Sequence, residues 1–268
     1  MRRTILIRLS VALAAYLLLS VVVPRLSVFG RQIDLIVFTV IFMAAQMLVI
    51  RYICAMQVSF AAGGVIFIAS LGAFAGLLAA KHATDGVLLL GLPIDLSRIV
   101  AASFLGYLVS FVLRDKNIVL PIAGFAACLD IWTVTWGPTR HMIEKAPKLV
   151  EEVSAPIPIP GGHGDLASVI GPADFVFLAV FFGAIYRLKM EPGLTFRIVL
   201  PLLCLTMIAV NSTPYFPGIP ALVPMGIGVI AANYRHVKFS KQEKWSVIIM
   251  SIILTLALAA HLLYRAAR

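Results

Sequence analysis

Nine apolar runs, at roughly 5–23, 33–50, 54–79, 97–113, 117–136, 170–187, 194–211, 218–233 and 245–264, decide what this chain can fold into. A run of about 18 apolar residues is long enough to cross the hydrocarbon core of a bilayer as a helix. Within that core every backbone N–H and C=O must find a partner inside the protein, so only helices or a closed barrel can span it. The runs are continuous rather than alternating, which selects the helix. Composition agrees. Of 268 residues 61% are hydrophobic and only 13% are charged, against about 25% charged in a soluble domain, and the mean hydropathy is +1.02. The expected fold is all-α, a polytopic membrane protein of about nine transmembrane helices, with residues 1–268 forming a single integral membrane domain.

Lys and Arg outnumber Asp and Glu by 22 to 12. The excess sits between apolar runs, where it meets lipid headgroups, and the chain has no basic domain of the kind that binds nucleic acid. Membrane lipids are therefore expected partners and nucleic acid is not. Four basic clusters stand out: Arg2, Arg3 and Arg8; Arg114 and Lys116; Arg187 and Lys189; Arg235, Lys238, Lys241 and Lys244. With nine spans all four fall on one side, which the positive-inside rule makes cytoplasmic. The first run follows Met1-Arg2-Arg3 without an A-x-A-type cleavage site, so an uncleaved first helix is expected. Short connections and the lack of an organelle signal point to a prokaryotic plasma membrane.

Cys54, Cys128 and Cys204 all lie in apolar runs without CxxC spacing and read as small core residues. His141, His163 and Asp165 share one loop but offer too few ligands at poor spacing for a metal. No metal and no cofactor are expected. The loop itself, 137–169, is polar and long for so economical a chain, and its segment Ala155-Pro-Ile-Pro-Ile-Pro-Gly-Gly-His-Gly164 cannot form a regular helix. The stretch 86–94 is apolar but short and contains Pro93, which suggests an interfacial or re-entrant piece.

Most acidic residues fall in loops or at the ends of runs. Asp130 and Asp174 do not. A charge at the centre of a membrane helix costs about 2.5–3.5 kcal/mol even on the lenient insertion scale, so such residues face a bundle interior or a watery cavity. Their runs are consecutive and both aspartates lie toward the 137–169 end, which lets the two meet at similar depth. Two facing carboxylates in a low dielectric share one proton. Such a pair can activate water against a peptide bond; it can equally relay protons or cations in a transporter, or cap two helix ends.

The flanking residues add a resemblance. Leu129-Asp130, Gly171-Pro-Ala-Asp174 and Pro220-Ala-Leu222 occur in that order, with Thr139-Arg-His-Met142 after the first and Phe175-Val-Phe177 after the second. This pattern, over roughly 126–228, resembles the presenilin and signal peptide peptidase family of intramembrane aspartyl proteases (the GxGD type), which carries Tyr-Asp on one helix, Gly-x-Gly-Asp on the next and Pro-Ala-Leu two helices later. The resemblance implies a presenilin-like bundle, Asp130 and Asp174 as catalytic dyad, and Gly171, Pro220, Ala221 and Leu222 as substrate-binding residues. It also implies transmembrane proteins or peptides as substrates. The chain departs from the family at Leu129, where the family has Tyr, and at Ala173, where it has Gly. A catalytically silent relative that binds membrane helices therefore stands beside the protease. Four runs precede Asp130 where the family has five helices, unless residues near 86–96 form another.

Overall fold

A computed structural model describes residues 2–25, 31–84, 90–135, 137, 142, 145–146, 150, 152–158, 166–212, 220–238, 240–241 and 245. Among these the fold is helical: α1 (Arg2–Val22), α2 (Arg31–Ala55), α3 (Phe60–Ala83), α4 (Gly91–Val109), α5 (Lys116–Thr135), α6 (Pro172–Arg187), α7 (Pro192–Ser212) and α8 (Leu222–Asn233). A two-stranded antiparallel hairpin, β1 (Ala155–Pro158) and β2 (Leu166–Ile170), interrupts the helices between α5 and α6. The expected ninth run, 245–264, lies almost wholly outside the described residues.

Six of these helices are long and apolar enough to cross a membrane: Arg3–Val22, Ile36–Ala55, Phe60–Ala83, Gly91–Val112, Lys116–Val134 and Pro192–Ala209. The chain is thus an integral membrane protein by the length and composition of its helices. The two that fall short are α6, with 16 residues, and α8, with 12. At 1.5 Å per residue they reach about 24 and 18 Å, less than the roughly 30 Å of hydrocarbon. Both begin at a proline break: Gly171-Pro172 opens α6, and Pro220-Ala221 precedes α8. Proline has no N–H to lose in a first turn and its fixed φ suits one, so it sets where a helix starts. The stretch near 86–96 also resolves differently from expectation. From Gly91 onward it is the first part of α4, with Pro93 in the first turn, and residues 85–89 lie outside the described residues.

Short α6 is the centre of the bundle. Phe175, Leu178, Ala179, Val180, Phe181, Phe182, Gly183, Ala184 and Ile185 are all buried along it, while α3 exposes Phe60, Val65, Ile68 and Leu71, an apolar face suited to lipid. The backbones of α4 and α6 touch: a Cβ built on Gly106 would collide with the Val176 carbonyl oxygen. Only glycine permits that approach, the small-residue packing that holds membrane helices together without a hydrophobic drive.

Basic residues gather at one end. The Arg187 guanidinium donates to the Leu113 carbonyl at 2.6 Å and to that of Ser110. Asn117 exchanges two hydrogen bonds with the Lys238 backbone, and Arg51 reaches the Tyr186 hydroxyl at 3.1 Å. Three of the basic clusters therefore share an end with the C-terminus of α2. Nearby, buried Asn233 accepts from the Glu191 amide and donates to Thr195 and Val229, tying α8 to α7.

Gly106→Ala is expected to cost about 1–3 kcal/mol through overpacking, seen as a lower midpoint of thermal unfolding in detergent. An unchanged midpoint contradicts the close α4–α6 approach.

Candidate functional site

Asp174 is the third residue of α6 and lies within its first turn. Gly171 is the N-cap, and its carbonyl accepts the Asp174 amide at 3.1 Å. The carboxylate folds back over that cap. A Cβ placed on Gly171 would lie 3.4 Å from Asp174 Oδ2, an ordinary contact distance, which shows how near the acid lies to the cap. A helix N-terminus offers unpaired N–H groups and the positive end of the dipole, both favourable to a carboxylate.

Asp130 projects from α5, five residues before that helix ends. Its Oδ2 accepts a hydrogen bond from the Leu222 amide at 2.9 Å. Leu222 opens α8, so the acid satisfies one of the N–H groups that a helix start leaves bare. Gly226, one turn on, brings α8 against α5: a Cβ there would sit 2.7 Å from the Ala123 carbonyl oxygen. Met225, one turn into α8 from Leu222, lines a pocket with Asp174, so the two acids flank the same start of α8. Asp130 is 14 residues beyond Lys116 and Asp174 is 13 before Arg187. Each acid is therefore about 20 Å along its helix from the basic end.

The structure thus gathers Asp130, Asp174, Gly171 and Leu222 into one region, with Pro220 and Ala221 immediately before Leu222 and half-buried. Gly218, Trp136, Thr139, Arg140, His141 and His163 lie outside the described residues. Among the described residues, no three His, Cys, Asp or Glu side chains cluster as metal ligands would.

The hairpin runs directly into this region, since β2 ends at Ile170, next to the Gly171 cap. Its pairing sets Ala155 against Ile170, Pro156 against Val169 and Ile157 against Ser168. Pro156 and Pro158 cannot donate hydrogen bonds, so their nitrogens belong on the outer edge of β1, away from β2. That edge is poor at receiving another strand. The outer edge of β2 carries no such block.

Residues that the sequence reading passed over hold this arrangement. Arg98 is 7% exposed, donates to Asp95 Oδ1 at 2.8 Å, and also donates to the carbonyl of Ser154, just before β1. It fixes the root of the hairpin to α4. Asp95 falls just before the apolar run at 97–113, but α4 starts at Gly91 and takes it in. On α2, Thr39 and Gln46 are each 1% exposed, and the Thr39 hydroxyl has no hydrogen-bond partner among the described residues. Gln46 shares with Asp174 a small pocket that is otherwise apolar, its lining including Met43, Met47, Phe175 and Leu203.

No family model, curated protein or solved structure matches this chain.

Arg98→Met alone strands a buried carboxylate at Asp95 and is expected to cost about 3–5 kcal/mol. Asp95→Leu combined with Arg98→Met should recover most of that stability, since an apolar pair of similar volume replaces a buried ion pair at little cost. In the double variant the Ser154 carbonyl still lacks its donor, so amide exchange across 155–158 and 166–170 should stay fast. Slow exchange there in the double variant contradicts the tether.

Proposed function

We propose that the chain is an intramembrane aspartyl protease, hydrolysing peptide bonds in or beside the transmembrane segments of membrane proteins. One observation carries the reading: Asp130, on the helix before the hairpin, accepts at 2.9 Å the amide of Leu222, the last residue of Pro220-Ala221-Leu222, while Asp174, on the helix after the hairpin, lines a pocket with Met225, one turn beyond Leu222 in α8. The likeness of these three motifs to the presenilin and signal peptide peptidase family supports it. So does the shortness of α6 and α8, because helix starts at membrane depth are tolerated where they line a cavity.

The chemistry follows from two carboxyl groups sharing one proton. The ionised one takes a proton from water as its oxygen adds to the peptide carbonyl; the protonated one donates to the carbonyl oxygen. Collapse of the resulting diol breaks the C–N bond, and the proton passes to the departing amine. Neither metal nor organic cofactor enters these steps. A helical substrate must first unwind, and the outer edge of β2 can receive the extended segment by strand addition beside Gly171. Pro220, Ala221 and Leu222 would bound the other side. By the positive-inside rule the basic end faces the cytoplasm and the hairpin faces outward, in a prokaryotic plasma membrane.

The Leu222 contact also favours a second reading, in which Asp130 merely caps α8. Capping predicts a stability loss of about 1 kcal/mol for Asp130→Asn or less, with no catalytic consequence. A proton or cation relay through the same acids predicts uptake driven by a gradient, and no peptide products.

Purified protein in liposomes, given a single-span reporter, is expected to cut it. Asp130→Asn and Asp174→Asn should each lower the rate by about 1,000-fold or more, the scale seen when one member of a catalytic unit is removed. Folded wild type that cuts no reporter, or an asparagine variant that still cuts, sinks the proposal.

A further inference from the structure

Arg51 lies four residues before the end of α2, where that helix meets the end of α6 and the start of α7. Its Nε donates to the Tyr186 hydroxyl at 3.1 Å, and its guanidinium carbon stands 5.1 Å from the centre of the Phe196 ring. A guanidinium within about 6 Å of a ring centre is held against that face. The two contacts fix the group but leave its fork unused: Nη1 and Nη2 have no hydrogen-bond partner among the described residues. Nη2 is 3.9 Å from where a Cβ on Gly193 would stand, and the hydrogen found there leaves that nitrogen uncovered.

A second cation converges on the same residue. Arg197, one turn beyond Gly193 in α7, is exposed and donates from Nε to the Gly193 carbonyl at 3.4 Å. Among the described residues no carboxylate pairs with either arginine; the ion pairs there join Asp95 to Arg98, Glu152 to His82 and Glu191 to His236. Glu191, two residues before Gly193, is thus turned to His236 at 3.5 Å. A pre-set guanidinium fork matches the oxygens of a phosphate. The neighbouring surface tells which phosphate. From Arg197 the exposed face of α7 continues through Pro201 to Leu205, which is 63% exposed. That apolar stripe runs about 12 Å from Arg197 to Leu205. Cations at the head of an apolar stripe, at the basic end of a membrane bundle, match a molecule with an anionic head and an acyl tail.

We infer that Arg51 and Arg197 form a binding site for the phosphate of an anionic glycerophospholipid. The Arg51 fork donates to two phosphate oxygens, Arg197 donates to the same group, and an acyl chain lies along Pro201 and Leu205. This is one held lipid rather than the general attraction of basic clusters for headgroups, because Tyr186 and Phe196 fix the fork before the lipid arrives. The site is separate from the aspartates. Asp174 is 12 residues before Tyr186, about 18 Å along α6, so the inference does not rest on the protease reading.

Native mass spectrometry of the delipidated full chain in detergent tests it, with dioleoylphosphatidylglycerol and dioleoylphosphatidylcholine titrated separately. The first phosphatidylglycerol should bind about ten-fold tighter than phosphatidylcholine, whose choline cancels the charge that the arginines meet. Arg51→Gln should weaken that first binding about ten-fold, by removing the fork, and Arg197→Gln about three-fold. Lys241→Gln removes the same charge from an exposed residue of the basic end and should leave the affinity unchanged. If Arg51→Gln does not fold, Arg51→Lys, which keeps the charge and loses the fork, should weaken binding about three-fold. Exposed Arg197 is open to substitution in either case. Phosphatidylglycerol that binds no tighter than phosphatidylcholine, or equally well to the Arg51 and Arg197 variants, overturns the site. So does an equal loss in Lys241→Gln, which would reduce the effect to net charge. Inorganic phosphate that displaces the lipid at equal concentration would assign the fork to a soluble anion and overturn the lipid assignment.

Discussion

A helix that starts inside a membrane bundle leaves its first amides without partners, and no lipid can supply them. The architecture around the site turns on that constraint. Helix α8 begins at Leu222, and the amide there is met by the carboxylate of Asp130 from α5. Helix α6 begins at Pro172, whose missing N–H removes one orphan, and its first turn holds Asp174 over the Gly171 cap. Two acids that would be costly in hydrocarbon are thus placed where backbone donors are in surplus.

Everything else keeps those two helix starts in place. The approach through Gly106 holds α6 to α4 near Val176, and the Arg187 bonds to Ser110 and Leu113 lock its far end. Asn233 does the same for the far end of α8. With the basic ends anchored, the depth of each acid follows from helix length alone. The hairpin is rooted separately, by Arg98 on Ser154, so the strand that leads into Gly171 is set from α4 rather than from the loop's own sequence.

Much of this was legible in the sequence, for physical reasons that also explain what was not. Long apolar runs announced the membrane helices because hydropathy scales with helix length. The same signal hid the shortness of α6 and α8, since an apolar residue before a helix start looks like one inside it. Asp130 and Asp174 were legible because a charge in an apolar run is expensive, and that their helices flank one hairpin was legible because their runs are consecutive. The Leu222 contact was not, as it joins residues 92 apart through a backbone amide that every residue possesses. Segment 155–158 was readable as non-helical from its prolines, but its pairing with 166–170 was not. Gln46 carries no charge and sits among Met, Leu and Val, so nothing in the sequence marks it as a buried polar side chain.

The central proposal is that Asp130 and Asp174 together form one site that binds the tetrahedral state of a peptide bond. Photo-crosslinking with a peptide isostere tests it most directly, because a hydroxyl standing in for the tetrahedral carbon's oxygen binds between two carboxylates that share a proton. The expected result is label on peptides from both α5 and α6, lost in Asp130→Asn and in Asp174→Asn. Label that lies elsewhere, or that survives both substitutions, contradicts the account.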